Sequence, residues 1–256
     1  MLIASTFENA RNVYSQEERP SGADLTAMAV RGSVLPVGDA GVLAVLGDAI
    51  DAKTLASVWS LLGVLKAALG DSVLDIVPAY SSVLVRFNPS ATQLATVMAV
   101  VRGAMEVAGQ TLDTASRRIE VGVCFSAECA LDINEVAERT GLAPDRIVEE
   151  FCGSTYRVAF LGFTAGFPYM IGLSGRLDLP RLPSPRVRVP AGSVGFAAGQ
   201  CGIYPRQSPG GWRILGRTSG LIFDPERATP ALFRPGDIVR FHPVASLDDA
   251  RANVTS

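Results

Sequence analysis

Two arginines, Arg186 and Arg188, stand two apart in PRVRVPAGSVG, the segment from Pro185 to Gly195. In an extended chain the period of two predicts both guanidinium groups on one face, with Val187 and Val189 turned into a core. A guanidinium fork binds carboxylate or phosphate through two parallel hydrogen bonds and stays charged when half-buried. The Ala191-Gly192-Ser193 turn that follows can offer successive backbone N–H groups to an anion. Two more loops share this texture. LGFTAGFPY runs from Leu161 to Tyr169, where Gly162 and Gly166 allow sharp turns and Phe163, Phe167 and Tyr169 offer apolar faces. GQCGIYPRQSPGGW runs from Gly199 to Trp212; Pro209-Gly210 suits a type II turn and Trp212 adds a large ring. Arg217 and Thr218 close the set.

Missing motifs narrow the chemistry. The chain has no G-x-x-x-x-G-K-[ST] cradle and no G-x-S-x-G elbow. Its single histidine, His242, lies between a strand-like run and Pro243 and reads as a structural rim residue. Cys124, Cys129, Cys152 and Cys201 form no C-x-x-C pair, so no metal site is expected and the thiols read as reduced and mostly buried. No catalytic residue is assignable, because no nucleophile and base are evidently paired. The expected contribution is binding and electrostatics, in a site shared with another chain.

Charge divides the 256 residues sharply, although the net charge is only −2. From Gly153 to Pro243 there are eleven arginines, no lysine and four acids; residues 1–152 carry eleven bases and nineteen acids. Each arginine either faces a ligand, sits on a solvated surface or pairs with an acid of the other half. With 48% hydrophobic and 19% charged residues the chain can bury a core. It shows no signal-peptide pattern and no apolar run near the ~20 residues of a membrane span, so a cytoplasmic location without membrane contact is expected.

The elements that must position these loops fall into two textures. Residues 1–32 show no sustained period and read as a flexible extension. From Ser33 a strand pair around Gly38-Asp39-Ala40-Gly41 leads to a helix carrying Leu55, Val58, Leu62, Leu65 and Leu69 on one face, stopped at Gly70. Strands follow at Val73–Val77 and Val83–Phe87, a second helix at 91–108, and a closing strand at Ile119–Cys124. That βαββαβ order predicts a ferredoxin-like domain over 33–124, an antiparallel sheet with two helices on one face. Residues 125–155 read as a connector of two short helices, with Asp132 and Glu135 forming a capping box and Pro144 in the first turn of the second. DINEVAERTGLAPDRIVEEF has the outline of a helix-turn-helix. Its second helix, however, presents Asp145, Glu149 and Glu150, which phosphates would repel, so no nucleic-acid partner is expected.

From Tyr156 the chain is dense in breakers: residues 153–243 hold 14 of the 25 glycines and 11 of the 16 prolines. Helix is excluded there, and the short apolar runs Tyr156–Leu161, Val194–Ala197, Leu221–Phe223 and Ile238–Phe241 predict a β-barrel over 156–243, with 244–256 as a tail. The fold class is therefore α+β, an α/β sandwich followed by a barrel.

LGFTAGFPY, SPRVRVPAGSVG, GIYPRQSPGGW, LGRT and FDPER with RPGDIVRF resemble, in order and spacing, the family of the B-type subunit of 5-oxoprolinase, which also includes the sporulation-kinase inhibitor and allophanate hydrolase subunit 1. LPVGDAGVLAVLGDAID and DIVPAYSSVLVRFNP resemble its N-terminal domain, so the likeness covers about residues 33–243. It implies a ferredoxin-like domain followed by a cyclophilin-like barrel. It also implies a subunit of an ATP-dependent hydrolase that opens 5-oxoproline to glutamate. ATP, with or without Mg, would be held in the assembled complex. The implied partners are a C-type oxoprolinase chain with a biotin-dependent carboxylase-like domain and a third oxoprolinase subunit. For that chemistry Arg186, Arg188 and Arg217 are the expected anion contacts. Gln200 and Thr218 are the expected polar orienters, and Phe163, Phe167, Tyr204 and Trp212 the pocket walls. Two alternatives stay open: a non-catalytic module inhibiting a histidine kinase, and an allophanate hydrolase-type amide hydrolase subunit. The chain departs from the family at Phe151, where a histidine is usual, and in its long N-terminal extension.

Overall fold

The computed structural model describes residues 32–108, 117–250 and 252–255. The expected flexible extension, residues 1–31 above all, lies outside them. The chain divides into two compact units, at Thr114 and Ala115.

In the first unit β1 (Ser33–Val37) and β2 (Gly41–Val45) form the expected hairpin. Helix α1 (Ala52–Leu69) follows, with Asp51 as N-cap accepting the Thr54 N–H at 2.8 Å. Strands β3 (Asp75–Pro78) and β4 (Ser82–Arg86) and helix α2 (Leu94–Val107) complete it. Leu55, Val58, Leu61 and Leu65 of α1 and Val97 and Val101 of α2 bury one face of each helix with Val42, Val83 and Val85 of the sheet. By length and composition α1 is apolar enough to cross a membrane. Its buried stripe is also that of a helix packed on a sheet.

The sheet order is β1-β2-β4-β3, antiparallel throughout. The ferredoxin-like arrangement read from the sequence placed Ile119–Cys124 in this sheet as its closing strand, and that placement is corrected. The edge beside β2 is taken by β1 instead. The segment read as the closing strand is β5 (Arg118–Cys124), which belongs to the second unit and runs parallel to β13 (Ile238–Val244). Ile119, Val121 and Val123 are all fully buried there. Their alternation fits either sheet, and the pairing with β13 places them in the core of the second unit.

The second unit is a closed barrel. Its strands run β12 (Arg213–Arg217), β9 (Ser193–Ala197), β10 (Gln200–Ile203), β7 (Pro168–Ile171), β6 (Tyr156–Leu161), β13 and β5, and Cys124 of β5 pairs with Arg217 of β12 to close the ring. The predicted limits of 156–243 are therefore too narrow. The tail contributes β14 (Ala252–Thr255), paired antiparallel with β5. The predicted connector is also revised. Helices α3 (Ile133–Thr140) and α4 (Pro144–Gly153) bury Val136, Ile147 and Phe151 in the same core as Val158, Phe196, Ile203, Leu215 and Phe241, and so cap the barrel. Of the predicted runs, Leu221–Phe223 makes only an isolated bridge, Phe223 to Ala231.

Candidate functional site

The barrel wall at β7, β9, β10 and β12 is buried on both sides. Val194, Phe196, Cys201, Ile203 and Leu215 point inward, while Ala197, Tyr204 and Ile214 point outward into a second apolar layer with Phe167, Val189 and Trp212. A short ribbon, β8 (Arg186–Val189) paired with β11 (Ser208–Gly210), borders this layer. The expected type II turn at Pro209-Gly210 is thus a ribbon strand instead.

Four predicted wall residues meet in this outer layer. Phe167 lies edge-on to Tyr204 and Trp212, with centroids at 5.2 and 5.4 Å, and edge-on to Phe163 at 5.5 Å. Tyr169 completes the rack against Phe167 and Trp212. Gly202 makes room for it, since a Cβ there would stand 2.6 Å from the Phe167 ring. Phe163 alone is well exposed, and its φ of 62° is one that side-chain-bearing residues avoid. Beside it, Arg206 Nε donates to Thr164 Oγ1 at 2.8 Å. Burial pushes the Tyr204 phenol up to about 12, partly offset by the Trp212 backbone N–H donating to it and by the charges of Arg181 and Arg186.

The arginines divide. Val187 is 83% exposed while Val189 is fully buried, so the alternation expected of PRVRV fails. The pairing of β8 with β11 shifts register between Ser208 and Gly210, which breaks the period of two. Arg186 turns inward and its Nη2 donates to Asp132 Oδ1. Arg188 is exposed, with no hydrogen-bond or ion-pair partner among the described residues. The shared arginine face is therefore corrected to one clamped and one free guanidinium.

The predicted anion nest at Ala191-Gly192-Ser193 is also corrected. Gly192 N–H donates to the Tyr204 carbonyl at 2.7 Å and Ser193 N–H to that of Pro190 at 3.3 Å. Gly192 has φ +79°, and a Cβ there would stand 1.9 Å from the Thr218 carbonyl oxygen. Arg217 and Thr218 are bound into the same knot. Arg217 Nε donates to the Ala191 carbonyl at 2.8 Å, and Thr218 Oγ1 to that of Ala250 at 2.8 Å. Gln200 opens β10 and reaches the Ala198 carbonyl at 3.5 Å. The Gly192 and Ser193 N–H groups are thus both engaged, and this turn offers no phosphate cradle.

Sequence reasoning missed the groups that hold the outer layer in place. Asp132 stands at the N-cap of α3, but its side chain makes no capping hydrogen bond, so the capping-box reading is corrected. Its Oδ2 accepts the Ile214 N–H at 2.6 Å while Oδ1 takes Arg186. Arg213, with no exposed surface, donates to Glu135 at 2.8 Å and to the Pro180 carbonyl. The spacing of Asp132 and Glu135 was visible, but their partners lie far along the chain. Phe151 is fully buried, stacked on Phe241 at 5.0 Å, and its carbonyl accepts the Tyr156 hydroxyl at 2.9 Å. The side chain at this position packs the core. His242 is exposed on β13.

A mixed α+β chain with a closed barrel and an aromatic outer layer defines a class: residues 33–233 match the carboxyltransferase domain, subdomain C and D. The chain belongs to the family of the B-type subunit of 5-oxoprolinase. It is 30% identical over 231 residues to the B-type 5-oxoprolinase subunit of Bacillus subtilis (strain 168), covering 86% of this chain and 96% of the relative. It is 40% identical over 173 residues to the corresponding 5-oxoprolinase subunit of Escherichia coli O157:H7, covering 67% and 78%. The crystal structure of TTHA0988 superposes with a TM-score of 0.71 at 34% identity, over 80% of this chain and 40% of that one. The chain thus spans well under half the length of that solved relative.

Proposed function

We propose that the chain is a non-autonomous subunit of an ATP-dependent 5-oxoprolinase that opens the lactam of 5-oxoproline to glutamate. One observation carries this reading: the sequence aligns over nearly the whole of a protein named as the B-type subunit of 5-oxoprolinase. A lactam carbonyl is a poor electrophile. Transfer of a phosphoryl group to its oxygen makes the carbon open to water, and cationic donors stabilise the charge that develops. In this reading the nucleotide is held in the complex that the chain assembles with a C-type oxoprolinase chain, carrying a biotin-dependent carboxylase-like domain, and with a third subunit. On the same reading the barrel offers the exposed Phe163 ring, backed by the buried Tyr204 and Trp212, with Arg206 beside it and Arg188 on β8 as a cation unpaired among the described residues.

The decisive experiment is reconstitution. The purified chain, the two partner subunits and all three together are assayed for ATP-dependent conversion of 5-oxoproline to glutamate. Turnover is expected only in the mixture. Equal turnover by the isolated chain, or full turnover by the partners without it, refutes a shared site. Turnover of allophanate in place of 5-oxoproline would move the chain to the related amide hydrolases.

A further inference from the structure

A cluster outside the aromatic rack takes no part in the proposed lactam chemistry. Cys124 ends β5 and Cys129 lies in the turn that follows; they are 3% and 7% exposed and pack with Ala250, Val244 and Leu247. Ser126 stands between them. Cys124 Sγ lies 3.4 Å from Ser126 Oγ, and both cysteines belong to one buried cluster. The turn that joins them is fixed, because the N–H groups of Cys129 and Ala130 both donate to the Ser126 carbonyl at 2.8 Å. Ser126 also lines an open groove of about 600 Å³ with Phe125, Leu131, Val148 and Val244, so a small solute reaches this turn from solvent.

A single buried cysteine is usually inert packing. Two thiols buried in one cluster across a fixed turn, beside an open groove, are placed to react with each other. We propose that Cys124 and Cys129 form a redox-responsive dithiol that a hydroperoxide converts reversibly into an intramolecular disulfide. The Cys124 sulfur attacks one peroxide oxygen and the O–O bond breaks. The other oxygen leaves with a proton, as water or an alcohol, and Cys124 becomes a sulfenic acid. Cys129 sulfur then attacks Cys124 sulfur, the S–S bond forms, and the sulfenic hydroxyl leaves as water with the Cys129 proton. Two thiols lose two electrons and two protons, and the peroxide is reduced.

The assignment of attacker and resolver follows from the surroundings. Burial pushes the Cys124 thiol up, but hydrogen bonds from Ser126 and Cys129 outweigh it and hold the thiol below its ordinary value. Burial raises Cys129, pushes Cys152 up to about 11, and drives the fully buried Cys201 well above the usual range. The disulfide would tie the barrel-closing strand to the segment leading to Asp132.

The test uses the full chain in native buffer with graded hydrogen peroxide, blocking with N-ethylmaleimide, and trypsin. Cleavage after Arg118 and Arg139 releases one peptide holding both thiols and no other cysteine. It is expected two hydrogens lighter, and restored by dithiothreitol, at peroxide levels that leave Cys152 and Cys201 alkylatable. Oxidation of Cys152 first, or irreversible sulfinic acid at Cys124 without pairing, overturns the proposal. In Cys129→Ser, Cys124 should be trapped by dimedone as a sulfenic acid, and failure to trap it counts against the attacker role. In urea the preference for this pair should vanish; a preserved preference would show that the fold does not create it.

Discussion

Arg213, with no exposed surface, donates to the Glu135 carboxylate at 2.8 Å across 78 positions of sequence. This bond and the Arg186–Asp132 pair fasten the N-terminal end of α3 to the outer face of the barrel. Stranding a buried partner of such a pair costs about 3–5 kcal/mol, whereas a half-exposed carboxylate can turn to water. Glu135→Ala, which strands the buried Arg213 guanidinium, is therefore expected to lower stability by about 3 kcal/mol, and Arg213→Met, which keeps most of the volume and leaves only the half-exposed Glu135 carboxylate, by less than about 2 kcal/mol, read as urea midpoints at unchanged slope. A loss in Glu135→Ala no larger than in Arg213→Met would mean that Arg213 matters only as volume.

Arg186 and Arg188 should separate in the same assay. Arg186 is clamped on Asp132, so Arg186→Lys loses the geometry of the fork and is expected to destabilise by about 1–3 kcal/mol. Arg188 is exposed and unpaired among the described residues, so Arg188→Lys should change stability by less than about 0.5 kcal/mol. In the reconstituted complex Arg188→Lys is expected to cut turnover of 5-oxoproline at least tenfold. A fully active Arg188→Lys variant would return this arginine to the solvated surface.

Much of this was legible along the chain, and the failures share a cause. The α1 stripe, the Gly38–Gly41 turn and the texture of the barrel were read correctly because each is written in local periodicity. The closing strand was misplaced because Ile119, Val121 and Val123 declare a buried strand without naming its sheet; the pairing with Ile238–Val244 is a long-range choice. The aromatic residues singled out in the sequence, Phe163, Phe167, Tyr204 and Trp212, do meet as one packed set. The arginine face failed because one register shift in a four-residue strand reverses where a side chain points. The clamps of Asp132 and Glu135 were invisible because their donors lie on β8 and β12.

Alkaline pH should weaken the barrel through the outer aromatic layer. Burial holds the Tyr204 phenol at about 12, above its ordinary 10.0, so between those values the folded state keeps a proton that the unfolded chain releases. The stability from this group is whole below about pH 10 and declines as pH rises toward about 12. Burial raises Tyr169 in the same direction. The urea midpoint is expected to fall across that window, and to fall less steeply in Tyr204→Phe. A variant with the parent's slope would place the loss in the other buried phenols or thiols.

Phe163 provides the sharpest test of the binding wall. Its φ of 62° costs about 1–2 kcal/mol for a residue with a side chain, and its ring is 47% exposed, so little burial offsets that strain. The edge-on contacts with Phe167 and Tyr204 fix the orientation of the ring without covering it. Asparagine tolerates the left-handed region, so Phe163→Asn relieves strain while removing the ring. Its stability is expected to stay within about 1 kcal/mol of the parent, since relief and lost contacts oppose each other. If the ring is held out to meet a ligand, the reconstituted complex should lose at least tenfold in kcat/KM, mainly through a higher KM, because a wall binds ground and transition states alike. A stable Phe163→Asn variant with unchanged kcat/KM would leave the strained ring without a part in binding.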